Sequence, residues 1–130
     1  MSYTVIQAED HSWEERPALG SGGPRFKAVV TTAADLSESR AQIWRLPPRT
    51  RGPRHIEQSQ EEVFVVLDGT LTVLLGDPPE RFDLAPRSVV AVKPGTAIQM
   101  RNESDEEVAV FAYGAPPVVG VDYLDDVEQL

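Results

Sequence analysis

The sequence predicts an all-β fold, a sandwich or barrel of short strands. Three observations carry this reading. Short β-favouring segments recur along the 130 residues. Eleven prolines and nine glycines punctuate them. Apolar positions three and four apart do not persist over the ten or more residues that a stable helix requires, outside one stretch at the C-terminus. Regular short strands with such turns mark sandwiches and barrels.

Nine strands are expected in order. Residues 3–7 form the first, read as a sheet edge. Residues 26–31 form the second, after the breaker Gly20-Ser21-Gly22-Gly23-Pro24. Arg40–Leu46 is the third, stopped by Pro47-Pro48. Residues 62–67 and 70–75 flank Asp68-Gly69, a dipeptide that predicts a tight hairpin. Residues 81–84 follow the turn Gly76-Asp77-Pro78-Pro79, and residues 88–92 run into Lys93-Pro94-Gly95-Thr96. Residues 97–101 end at Asn102-Glu103-Ser104-Asp105. Residues 107–113 end at Gly114-Ala115-Pro116-Pro117. Residues 8–24 read as an irregular segment wrapping the barrel. At residues 121–130, Tyr123, Leu124, Val127 and Leu130 are spaced for a short C-terminal helical turn. The chain is expected to be one domain over 1–130, with a core at about 26–114, an N-terminal arm at 1–25 and a tail at 115–130.

Composition narrows the function. Twelve basic and 21 acidic side chains leave a formal charge of −9. Nucleic acid and anionic membranes call for concentrated Lys and Arg, so neither is an expected partner. There is no cysteine, hence no disulfide framework, thiolate nucleophile or Cys-held metal. No apolar run approaches a membrane span, and the first ten residues lack the basic start and apolar stretch of a signal peptide. A cytoplasmic protein is expected. Arginine far outnumbers lysine, which is compatible with a GC-rich bacterial source. A phosphate loop, G-x-S-x-G and H-E-x-x-H are all missing, which excludes the mechanisms those motifs carry.

Residues 52–69 resemble the first motif of the cupins, whose pattern runs G, H-x-H, three or four residues, E, six residues, G. Gly52, His55, Glu62 and Gly69 match, and Glu57 stands at the second His. Residues 87–102 resemble the second motif: G, five residues, P-x-G, two residues, H, three residues, N. Gly95 and Asn102 match, while Arg87 replaces the opening Gly, Lys93 the first Pro and Ile98 the His. The resemblance spans roughly 40–113. It implies a jelly roll, the double-stranded β-helix barrel of two facing antiparallel sheets, and a homodimer, for which residues 3–7 would supply an unpaired edge.

The resemblance also implies a metal held by three His and one Glu. This chain has only two histidines, His11 and His55, so that site cannot be built from one chain. The available set is the incomplete one of His55, Glu57 and Glu62, with Ile98 at the fourth position. One imidazole and two carboxylates suit a divalent ion such as Mn, Fe, Zn or Ni, though no cofactor is assured; carboxylate-rich sites lean toward harder ions. Without a metal, His55 is expected to bond a neighbouring acid, Glu57 to lie in solvent and Glu62 to pair with an Arg or His55. His11 is expected at the surface.

Strand parity places the remaining candidates. Glu62, Phe64 and Val66 share one face; Ile98, Met100 and Asn102 share another; His55 and Glu57 share a third. If Glu62 and Ile98 point into the barrel, as the resemblance implies, His55, Glu57, Glu62, Phe64, Ile98 and Met100 are the expected ligand-binding residues. Trp44 and Arg45 point to opposite faces, and parity does not say which faces inward. Phe111 and Tyr113 share a face. Two functions follow. One is a small-molecule-binding protein with an incomplete metal site in its cavity. The other is an enzyme using His55, Glu57 and Glu62, as a metal-dependent oxygenase or isomerase or as a metal-free proton-transfer isomerase or lyase.

Overall fold

A computed structural model describes residues 2–19 and 22–127. It is nearly all β, with two antiparallel sheets of six strands. The first sheet runs β1 (Glu14–Arg16), β2 (Arg25–Val29), β3 (Arg40–Leu46), β11 (Val108–Ala115), β6 (Glu61–Asp68), β9 (Val89–Val92). The second runs β12 (Val121–Tyr123), β5 (His55–Glu57), β10 (Ala97–Asn102), β7 (Leu71–Leu75), β8 (Glu80–Leu84), with β4 (Thr50–Arg51) also on β10. The expected all-β jelly roll is the observed architecture.

Alternation builds the interior. In β9 the buried residues are Val90 and Val92, and in β11 they include Val108, Val110, Ala112 and Gly114. Leu46, Val66, Leu71, Val73, Val108 and Val110 are almost fully buried and form the centre of one apolar cluster. The inward residues of β11 shrink along the strand, from Val108 and Val110 to Ala112 and Gly114. Their cross-strand partners change in step. Val110 lies between Trp44 and Val66, Ala112 between Gln42 and Phe64, and Gly114 between Arg40 and Glu62. One half of the barrel is thus packed with aliphatic side chains, and the other half opens and turns polar.

Several expectations need correction. Asp68-Gly69 does not close a hairpin, because β6 pairs with β9 and β11 while β7 pairs with β8 and β10. The turn carries the chain from one sheet to the other. Gly69 has φ +77, and a Cβ there would sit 2.7 Å from the carbonyl oxygen of Glu107. The glycine is required, but by a corner. Residues 3–7 form no strand; Tyr3 and Val5 are exposed, and β1 takes the sheet edge instead. The edge argument for a homodimer therefore does not rest on residues 3–7. The wrapping segment holds a 3-10 turn at Ala8–Asp10 as well as β1. The second strand stops at Val29 and continues as a helical turn, α1 (Val30–Ala33). The Thr31 hydroxyl there accepts the amide of Ala41 at 2.8 Å and donates to its carbonyl at 3.1 Å, closing the start of β3.

The C-terminal helical turn is not formed among the described residues; Leu130 lies outside them, as do Gly20 and Ser21 of the glycine-rich breaker. Residues 121–123 add β12 to the open edge of β5 instead, with Tyr123 opposite His55 and Val121 opposite Glu57. So short an amphipathic stretch nucleates a helix poorly, and a strand edge offers its backbone ready partners. Beyond β12, Asp126 is held by Arg51 at 2.5 Å, Arg101 at 3.1 Å and Gln99 at 2.9 Å, so that Gln99 and Arg101 on the outer face of β10 are buried under the tail.

Asn102 ends β10 and is 1% exposed. Its amide nitrogen donates toward the carbonyls of Leu46, Pro47 and Glu106, and its oxygen accepts from the amide and hydroxyl of Ser104. Replacing it removes the donor from the buried carbonyl of Leu46 and from the part-buried carbonyls of Pro47 and Glu106. Asn102→Ala is expected to lower unfolding free energy by about 3 kcal/mol, read as a lower urea midpoint at unchanged slope. A loss below about 0.5 kcal/mol would show that the network contributes nothing.

Candidate functional site

The polar half of the barrel encloses a cavity of about 190 Å³. His55, Glu57, Glu62, Phe64, Ile98 and Met100 all line it. Trp44 faces the cavity. Arg45 faces out, between the rings of Trp13 and Phe26 and bonded to Glu107 at 3.0 Å.

Three elements position the polar centre. β5 places His55 and Glu57 two residues apart on one face, held by β10 on one side and β12 on the other. β6 brings Glu62 from the facing sheet. A ring nitrogen of His55 and a carboxylate oxygen of each glutamate lie within 4.8 Å of one another. Ile98 sits directly opposite His55 in the β5–β10 ladder and is 1% exposed. It supplies an apolar wall where the cupin resemblance implies a further histidine.

Hydrogen bonding defines what these groups can do. His55 Nδ1 lies 3.0 Å from the carbonyl oxygen of Pro53. A carbonyl only accepts, so Nδ1 carries the proton and the neutral ring keeps its lone pair on Nε2. His55 is therefore oriented by backbone and not by an acid, contrary to expectation. Glu57 is 7% exposed, so its expected place in solvent is also corrected. Glu57 Oε2 and Glu62 Oε1 are buried without a hydrogen-bond partner. Glu62 makes no ion pair among the described residues, although the Arg40 charge acts on it. His11 is half-buried beside Trp13, their ring centroids 5.6 Å apart, and stands apart from this cavity.

Two orphaned carboxylate oxygens and an imidazole whose other nitrogen donates to a carbonyl are the donor chemistry of a divalent-metal site. The residues fit a metal through three protein donors. They do not build the four-donor set that the resemblance implies.

Burial and the neighbouring Glu57 charge push the Glu62 carboxyl from its ordinary value of 4.5 up to about 7, against the opposing pull of Arg40. The folded state therefore holds this proton more tightly than the unfolded chain. Its contribution is fully present below pH 4.5 and is lost as pH rises through 7. In chelator-treated protein, the Tm difference between the native chain and Glu62→Gln should shift in favour of Glu62→Gln as pH rises from 4.5 to 7. Parallel Tm curves across that window would contradict the burial of Glu62.

The sequence reading missed the cationic wall of the same cavity, to which Arg16, Arg25, Lys27 and Arg40 all contribute. A signal existed for Arg40, which shares parity with Gln42 and Trp44. For Arg16 none did, because β1 was not expected. Gln60 and Tyr123 were missed as well, the latter because β12 was read as helix.

Comparison with known proteins agrees with this geometry. No curated protein matches the chain in sequence. Among solved structures, a sugar phosphate isomerase of the cupin superfamily from Silicibacter pomeroyi superposes with TM-score 0.80 at 19% identity, covering 95% of this chain and 83% of that one. The polyketide cyclase RemF from Streptomyces resistomycificus gives 0.79 at 14% identity, with 96% and 87% covered. A predicted oxalate decarboxylase from Thermotoga maritima gives 0.75 at 15%, with 87% and 99% covered. At such identities the likeness is one of fold. The family model for the cupin domain matches residues 42–113, more than half the chain and the whole stretch from mid β3 to β11. With two facing antiparallel sheets and a polar centre inside them, the chain belongs to the cupin family.

Proposed function

We propose that this protein is a small-molecule-binding cupin whose His55, Glu57 and Glu62 hold a divalent metal at the ligand cavity. One observation carries the reading: three potential donors converge within 4.8 Å while an oxygen of each glutamate is buried and unpartnered. Buried polar atoms without partners are rare and destabilising, and a cation satisfies several at once. When bound, the metal would polarise an oxygen of the ligand as a Lewis acid. The chain itself supplies the rest. Trp44 and Phe64 offer flat apolar surface, Ile98 and Met100 add apolar lining, and the carbonyl of Pro53 holds the His55 ring in one tautomer. The cavity lies below the roughly 300–1,000 Å³ of drug-sized pockets, so the ligand is small.

A second reading is favoured by Ile98. Its side chain cannot coordinate an ion, and it occupies the place of a metal-binding histidine. In that reading His55, Glu57 and Glu62 act without metal, passing a proton between ligand atoms as a paired acid and base, as in an isomerase or lyase. The structural neighbours include proteins described as isomerases, a cyclase and a decarboxylase, which is compatible with either reading.

Metal analysis and thermal unfolding separate the two. Protein purified without chelator should carry near-stoichiometric Mn, Fe, Zn or Ni. Adding the ion to stripped protein at one hundred times its Kd should stabilise it by about 2.7 kcal/mol, roughly 10 °C in Tm. Glu57→Gln and Glu62→Gln should each abolish the rise. A stripped protein whose Tm ignores all four ions would eliminate the metal and leave proton transfer.

A further inference from the structure

The distribution of ion pairs points to the class of ligand. Of the chain's twelve Lys and Arg side chains, seven form ion pairs among the described residues: Arg45, Arg49, Arg51, Arg54, Arg81, Lys93 and Arg101. Five do not, and four of those five, Arg16, Arg25, Lys27 and Arg40, line this one cavity. In a protein of net charge −9, acids abound to neutralise them; Glu14 stands opposite Lys27 and Glu62 lies within the field of Arg40, yet none of the four closes an ion pair among the described residues.

The arrangement is built. β2 and β3 set Lys27 opposite Trp44, and β1 sets Arg16 directly opposite Arg25. Like charges facing one another across a strand pair are unfavourable. Arg25 is the centre of the group. It is only 6% exposed, its guanidinium carbon lies 5.2 Å from the Trp44 ring centroid, and the Lys27 ammonium lies 5.8 Å from the same ring. Its Nη1 packs against Gly52, where a Cβ would come within 3.4 Å. Its Nε is buried with no hydrogen-bond partner. A guanidinium clamped by an aromatic ring and a glycine, with a donor left unused beside three other cations, awaits an oxyanion. Burial, followed by the charge of Arg16, depresses the Arg25 pKa, and Lys27 is depressed by burial and by Arg16, Arg40 and Arg25 against the pull of Glu14. An anion would relieve that repulsion.

We infer that Arg25, with Lys27, Arg40 and Arg16, forms an oxyanion subsite, and that the ligand is a small organic molecule carrying a carboxylate or phosphate group. Arginine suits either group because its planar fork matches both. Arg25 lies on β2 and Glu62 on β6, three strands apart and about 14 Å from backbone to backbone across the sheet, a span that the two side chains shorten from either end. A ligand a few atoms long places its anionic end on Arg25 and its other end at His55, Glu57 and Glu62. This inference rests on the proposed small-molecule cavity but not on the metal.

Isothermal titration with inorganic phosphate, succinate and neutral glycerol tests it, alongside Arg25→Met, Lys27→Gln and an Arg81→Gln control. Arg25→Met keeps an apolar side chain against Trp44, and Lys27→Gln covers the case in which Arg25→Met fails to fold. Phosphate or succinate should bind the native chain and glycerol should not; which of the two binds more tightly identifies the source of the anion. Arg25→Met should weaken binding roughly 10–100-fold, Lys27→Gln less, and Arg81→Gln not at all. Metal-induced stabilisation should survive in Arg25→Met, so loss of the metal site and loss of the anion site are read separately. Native protein that binds neither anion, or binds both with unchanged affinity in Arg25→Met and Lys27→Gln, would overturn the subsite.

Discussion

Two glutamates brought side by side into a barrel interior are the constraint around which the rest is arranged. Carboxylates leave water only when something compensates them, and unlike most buried acids these two have oxygens with no protein partner. The fold accommodates them by grading its interior. Along β11 the inward side chains fall from valine to alanine to glycine, and beside them Trp44 and Val66 give way to Gln42 and Phe64, then to Arg40 and Glu62. Stability is concentrated at one end of the barrel and chemistry at the other. A valine at position 112 or 114 would erase the boundary, since a Cβ on Gly114 already meets the Gln60 side chain at 2.5 Å.

Charge is sorted within the open half as space is. The first sheet contributes the cations of β1, β2 and β3 and, two strands from β3, Glu62; the second contributes His55 and Glu57. Arg40 and Glu62 share a cross-strand row through Gly114, so the two charged zones are electrostatically linked, as the pull of Arg40 on Glu62 shows. Elsewhere the basic side chains serve structure. Arg51 and Arg101 bind the tail through Asp126, and Arg45 bridges Trp13, Phe26 and Glu107 on the outer face.

Much of this was legible in the sequence because strand parity is strict. Knowing that Glu62 faces inward fixes Phe64 and Val66, and the same rule places Met100 with Ile98 and Glu57 with His55. Arg40–Leu46 matched its strand residue for residue. What parity cannot supply is the partner of a strand. Asp68-Gly69 has the chemistry of a hairpin, yet a glycine with positive φ serves a corner between sheets equally well. Residues 121–123 carry a weak helical spacing, but the decisive fact was the edge left open by β5, which no local pattern reveals. The cationic wall escaped for a related reason. Arg16 and Arg25 come from an arm, and Lys27 from the strand beside it, whose docking depends on long-range pairing, so their convergence with Arg40 is a property of topology.

The central claim is that His55, Glu57 and Glu62 act as one centre, and anomalous diffraction tests it most directly. Crystals grown with manganese, or with the ion found in the purified protein, should show one dominant anomalous peak inside the barrel, within bonding distance of His55 Nε2 and of both carboxylates. A map with its peaks confined to acidic groups on the outer surface, and none among these three side chains, would contradict the account.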